Sequence, residues 1–146
     1  MIGEHYELNP RKKKKLFYFI SEGSQGEILK VIGFQPVRGK IWNLYFGDIT
    51  ENGFSDAVVS NNADIYKVMN TVGVALYQFL EEYPERVIRI APVDDKRKRL
   101  YNTIFQRRIH EIEPNFHLFA KKGNKFEAYS PHRTYKIFEL RLKQKR

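Results

Sequence analysis

The 146-residue sequence predicts an α+β domain, a mixed and mainly antiparallel sheet with two helices in the order βββ(β)-α-β-α-ββ(β). Three observations predict it. Between residues 16 and 48, runs of β-branched and aromatic residues are separated by Gly23-Ser24-Gln25-Gly26 and Arg38-Gly39-Lys40, and such short glycine-containing connections join antiparallel neighbours. Ile65, Val68, Met69, Val72, Leu76, Phe79, Leu80 and Tyr83 recur at spacings of three and four, which is one apolar face of a helix. Phe138, Leu140 and Leu142 alternate with Ile137, Glu139, Arg141 and Lys143, the period of a strand. Only a sheet or another helix can cover the long apolar face, so helices on a sheet are the economical solution.

The elements follow in chain order. Residues 1–15 read as a basic, partly flexible lead-in to a single domain over 16–146. Asn9-Pro10 marks a turn, and Arg11, Lys12, Lys13, Lys14 and Lys15 are too charged to bury. Strands at Leu16–Ile20, Glu27–Pro36 and Ile41–Asp48 make a meander, with Trp42, Leu44 and Phe46 on one face of the third and Ile41, Asn43 and Tyr45 on the other. Glu51-Asn52-Gly53 turns the chain into a short edge strand at Phe54–Val59. Asn61 or Asn62 caps the long helix, Asp64 sits near its positive end, and Pro84 stops it. Val87–Ala91 is a short buried strand reached by a right-handed crossover. Asp94 or Asp95 caps a second helix to about Arg108. Leu100, Tyr101, Ile104 and Phe105 share one side of it, Lys96, Arg99, Thr103, Gln106 and Arg107 the other, and Arg97 falls in the apolar arc. Phe116–Ala120 and Lys125–Tyr129 flank a Lys122-Gly123-Asn124 turn, and the last strand spans about Thr134–Lys143.

Composition bounds the chemistry. The absence of cysteine removes disulfides and thiolate metal sites and is consistent with a cytoplasmic protein. No stretch approaches the ~18 apolar residues of a membrane span, and the N-terminus lacks the pattern of a secretory signal. The net charge of +9 is unevenly placed. Residues 1–15 carry five Lys/Arg against two Glu, residues 94–110 six against two Asp, and residues 133–146 six against one Glu. If these stretches meet in space they make one basic patch, which suits a polyanion. His5, His110, His117 and His132 have no metal-site spacing, so no metal and no cofactor are expected.

Two resemblances extend this reading. The element order, with Asp94-Asp95-Lys96-Arg97-Lys98-Arg99-Leu100-Tyr101, resembles the second half of the general N-acetyltransferase superfamily. That likeness implies an N-acetyltransferase-like sheet and a pyrophosphate site at the start of the long helix, where this chain reads Ser60-Asn61-Asn62-Ala63-Asp64 without a glycine. The whole chain is similar to a family of small bacterial proteins common in the Bacteroidota, a domain of unknown function. The likeness is carried by Gly47-Asp48, by Val59-Ser60-Asn61-Asn62 with Asp64, Lys67 and Val68, by Arg97, Arg99, Leu100 and Tyr101, and by Ile112-Glu113-Pro114.

The candidate nucleic-acid contacts are Arg11, Lys12, Lys13, Lys14, Lys15, Lys96, Arg99, Arg107, Arg141 and Lys143. Asn61, Asn62, Asp64, Arg97 and Tyr101 are candidates for a cleft where two helix starts adjoin. Arg97 there either clamps a phosphate or carboxylate, or pairs with a sheet carboxylate such as Asp48. Phe17, Tyr18, Phe19, Trp42 and Tyr45 either stack bases or, for the most part, form the core. No catalytic residue stands out.

Three functions are compatible with the sequence. The first is a basic protein that binds RNA, DNA or a ribonucleoprotein, by association a factor in phage or mobile-element conflict such as an anti-defence protein or toxin–antitoxin partner. The second is a remodelled acyltransferase-like or nucleotide-modifying enzyme. The third is an interaction module that docks an acidic protein. None involves a membrane.

Overall fold

The computed structural model describes residues 3–55 and 62–143. Its elements are β1 (Asn9–Arg11), β2 (Leu16–Gly23), β3 (Gly26–Arg38), β4 (Ile41–Thr50), β5 (Gly53–Ser55), α1 (Ile65–Glu82), β6 (Val87–Ile90), α2 (Asp95–Ile112), β7 (Phe116–Lys122), β8 (Lys125–Ala128) and β9 (Phe138–Leu142). Among the described residues nine strands hydrogen-bond in the order β1-β2-β3-β4-β6-β9-β7-β8, with β5 added to β4. The β4–β6 pair is parallel, while β1–β2, β2–β3, β4–β5, β6–β9, β7–β9 and β7–β8 are antiparallel. The α+β class with two helices and a mixed, mostly antiparallel sheet is therefore the fold. Among the described residues no helix is long and apolar enough to cross a membrane.

The chain divides into two compact units, Met1–Gln35 with Leu44–Glu82, and Pro36–Asn43 with Tyr83–Arg146. In the first, Phe17 and Phe19 of β2, Ile32 and Phe34 of β3, and Leu44 and Phe46 of β4 are buried at alternating positions. Val68, Val72, Leu76, Phe79 and Leu80 of α1 are buried at helical spacing, and Phe34 stacks on Phe79 at 4.2 Å. Each such side chain removed from water contributes about 1.5–3 kcal/mol. Lys30 and Asp48 share the strand faces of these apolar residues and form an ion pair of 2.5 Å, with only 4% and 9% of their side chains exposed. Neither charge could be buried there without the other.

In the second unit, β6, β7 and β9 bury Ile88, Ile90, Leu118, Ala120, Phe138 and Leu140. The buried stripe of α2 is Tyr101, Ile104, Phe105 and Ile109, and the Phe105 ring lies 4.7 Å from that of Phe138. Buried Glu139 accepts from the Nη2 of its cross-strand neighbour Arg89 at 2.7 Å. The Arg86 guanidinium sits over both Trp42, at 4.1 Å, and Tyr83, at 3.9 Å. The Tyr83 ring, expected on the apolar face of the long helix, thus lies just past α1 and stacks on an arginine.

Several local expectations are corrected. Asn9-Pro10 is no turn but part of β1, an edge strand that pairs β2 on one side, where a proline's missing N–H costs nothing. α2 runs one turn beyond Arg108, ending where the Glu113 N–H donates to the Ile109 carbonyl at 2.9 Å and Pro114 follows. The final strand begins at Phe138 instead of Thr134. Of the expected strand Phe54–Val59, residues 56–59 lie outside the described residues, as does Asn61.

Candidate nucleic-acid interface

The exposed side of α2 forms one wall of a groove within the second unit, with a volume of about 1100 Å³. Asp95, Lys98, Arg99, Asn102, Thr103 and Gln106 line it from α2. Their spacings of three and four put them on a single stripe of the helix, alongside the buried one. Lys121, Lys122 and Gly123 line it from the β7–β8 hairpin, and residues 133–137 from the segment before β9. Gly123 has φ +62°, the left-handed turn conformation that lets Lys122 and Lys125 face each other across the hairpin.

Six cations converge here: Lys98, Arg99, Lys121, Lys122, Arg133 and Lys136. The single carboxylate of the lining, Asp95, stands 3.9 Å from Lys98. Among the described residues, Arg99, Lys121, Lys122, Arg133 and Lys136 form no ion pair within 4 Å. Uncompensated like charges gathered on a concave surface repel one another and raise the local concentration of anions.

The wall made by residues 133–137 is held by Asn102 and Tyr135. The Tyr135 N–H donates to Asn102 Oδ1, and Asn102 Nδ2 donates to the Tyr135 carbonyl, both at 2.8 Å. The second amide hydrogen of Asn102 goes to the Lys98 carbonyl, also at 2.8 Å. A side-chain amide thus takes both backbone groups that a strand partner would have used, which is why β9 starts only at Phe138. The Tyr135 hydroxyl donates to Glu127 at 2.8 Å and accepts from the Ser130 N–H at 3.3 Å. Burial, then the Glu127 carboxylate, pushes the Tyr135 pKa above its ordinary value, so the hydroxyl keeps its proton and the contact.

Residues 3–143 match the model of DUF6934, a family of unknown function. The chain belongs to that family. No curated protein and no solved structure matches the chain significantly. Membership in DUF6934 thus supplies no activity, and the chemistry of the chain has to be argued from where its own residues lie.

Of the expected nucleic-acid contacts in this DUF6934 chain, Arg99 lines the groove. Lys96 and Arg107 are exposed on α2 outside the lining. Arg141 is exposed on β9, its guanidinium 5.2 Å over the Phe119 ring, and the Lys143 N–H donates to the Asn115 carbonyl at 2.8 Å. Arg11, Lys12, Lys13, Lys14 and Lys15 belong to the first unit, at the tip of the β1–β2 hairpin. Lys12, Lys13 and Lys14 there have φ of 51°, 54° and 66°, a left-handed run that costs about 1–2 kcal/mol per non-glycine residue.

Among the cleft candidates, Asn62 and Asp64 are committed to the first unit's own structure. Asn62 is 1% exposed. Its Nδ2 donates to Ser21 Oγ and to the Gly26 carbonyl at 3.0 Å, and its Oδ1 accepts from the Gln25 N–H at 2.6 Å. The side chain therefore fastens the β2–β3 turn and does not cap α1. Gly23 makes the approach possible, because a Cβ there would stand 1.8 Å from the Asn62 carbonyl oxygen. Asp64 Oδ2 accepts from the Tyr6 and Ser21 hydroxyls, both at 2.5 Å. Burial, then the bond to Asp64, raises the Tyr6 pKa.

Arg97 and Tyr101 belong to the second unit. The Arg97 side chain is 7% exposed and pairs at 3.6 Å with Asp94, the cap of its own helix, and not with Asp48, which Lys30 occupies. Its Nε is buried without a hydrogen-bond partner among the described residues. Tyr101 packs beside Phe105. Burial raises its pKa, and the nearby Arg97 charge opposes that shift. Phe17 and Phe19 are core.

Lys98, Asn102, Lys121, Lys122, Arg133, Tyr135 and Lys136 do not stand out as site residues in the sequence. The α2 stripe was legible as a periodicity. The remaining cations were visible only as turn-flanking or C-terminal charges, whose meeting depends on strand order.

Proposed function

We propose that this protein binds nucleic acid, holding the phosphate backbone in the groove between α2, the β7–β8 hairpin and residues 133–137. The observation that carries the reading is the convergence of six cations from three chain segments on one concave surface that holds a single carboxylate. A guanidinium offers bidentate donors to a phosphate and an ammonium offers a mobile point charge, and the groove combines both. A polymer with one charge per nucleotide can satisfy several of these cations at once, and the release of its counterions then drives association.

The test is titration of labelled single-stranded RNA and duplex DNA with the purified full chain. Binding is expected at about 50 mM salt and is expected to weaken on the order of 50-fold by about 200 mM, as four phosphate contacts to a single strand require. No binding of either polymer at the lower salt would remove the nucleic-acid reading and leave an acidic protein as the partner to seek.

A further inference from the structure

We infer that the groove is blind to bases: resting on the nucleic-acid reading above, it takes the phosphodiester backbone whatever the sequence. Sites that read single strands stack the unpaired bases on exposed rings. Among the described residues the only ring in the lining belongs to Tyr135, which is 5% exposed. Its ring packs beside those of Tyr129, at 5.7 Å, and Phe138, at 6.2 Å, and its hydroxyl donates to Glu127. It is a post that supports the wall, with no face open to a base.

Base edges are otherwise read by side-chain amides and, at guanine, by arginine or lysine, typically as paired hydrogen bonds. Asn102 is the amide in the middle of the helical stripe, and its hydrogen-bonding groups are already used. Both Nδ2 hydrogens and Oδ1 are bound at 2.8 Å to the backbone of Tyr135 and Lys98. Fastening the loop therefore consumes the group that would discriminate. Thr103 and Gln106 are the uncharged polar side chains that remain on α2, against cations on three segments. The distribution of donors favours charge over pattern.

The experiment displaces a labelled single-stranded RNA from the full-length protein at about 50 mM salt with unlabelled competitors. These are homopolymers of A, U, C and G of equal length, their DNA counterparts, and inorganic polyphosphate matched in phosphate concentration. The expected result is that all homopolymers, RNA and DNA alike, compete within about threefold of one another, since backbone contacts carry no sequence information. Polyphosphate is expected to displace the strand, as a backbone-only contact requires.

A homopolymer that competes tenfold better than the others, or polyphosphate that fails to displace a bound strand, would overturn this inference while leaving nucleic-acid binding in place. Failure of the labelled strand to bind at all would remove both.

Discussion

Lys30 and Asp48 are opposite charges within the buried faces of β3 and β4 and are tied to each other at 2.5 Å. Removing one leaves the other buried without its counter-charge, whereas removing both leaves a hydrophobic site. Asp48→Ala is therefore expected to cost about 3–5 kcal/mol in urea unfolding, while Lys30→Met combined with Asp48→Leu recovers most of that loss. Additive single and double variants would show that the pair is not coupled. The tyrosines make a second prediction at this scale. Tyr6, Tyr45, Tyr101, Tyr129 and Tyr135 all have pKa values raised above 10.0, with burial as the leading cause. The fold thus favours their neutral forms, so this stability is fully present below about pH 10 and is lost as pH rises through the folded-state values. Thermal unfolding from pH 8 to 11, about the range that brackets tyrosine titration, should show a steep alkaline fall that is shallower in Tyr101→Phe; an unchanged slope would contradict it. Short polar residues such as Asn62 and Asp64 were hard to assign from sequence because a cap and a tertiary clamp use the same side chains. The clamp partners, Ser21, Gln25 and Tyr6, are about forty or more residues away in the chain.

At the scale of elements, the segment between β8 and β9 is ordered by side chains, with Asn102 taking the place of a neighbouring strand. Asn102→Leu keeps the approximate volume and deletes three hydrogen bonds. The expected outcome is faster hydrogen exchange at the Tyr135 amide, retained helix content and weaker polyanion binding with no change in net charge. Unchanged exchange at Tyr135 would show that other contacts hold the wall. Periodicity made α1, α2 and β9 legible, since the spacing of apolar residues records which face of an element is buried. It overran β9 because the backbone N–H and carbonyl of Tyr135 bond the Asn102 side chain and not a neighbouring strand. It missed β1 because Pro10 signals a turn everywhere except at a sheet edge.

At the scale of the molecule, the fold class could be read from local patterns, but the groove could not. Arg99 sits on a stripe that the sequence displays, whereas Lys121, Lys122, Arg133 and Lys136 join it through the β6-β9-β7-β8 order, a nonlocal property. The charge stretches 94–110 and 133–146 both contribute to the groove, and the basic residues of the β1–β2 hairpin lie in the other unit. The proposed binding requires that the groove, and not net positive charge, engage the polyanion. It is tested most directly by the salt dependence of RNA binding in three proteins: wild type, a groove variant with Arg99, Lys121 and Arg133 each changed to Gln, and a hairpin variant with Arg11, Lys12 and Lys13 each changed to Gln. The two variants lose the same charge. A plot of log affinity against log salt is expected to have a slope of about −3 for wild type, as four phosphate contacts imply, and a slope nearer −1 for the groove variant. The hairpin variant is expected to stay close to the wild-type slope. Equal flattening in both variants, or none in the groove variant, would contradict the account.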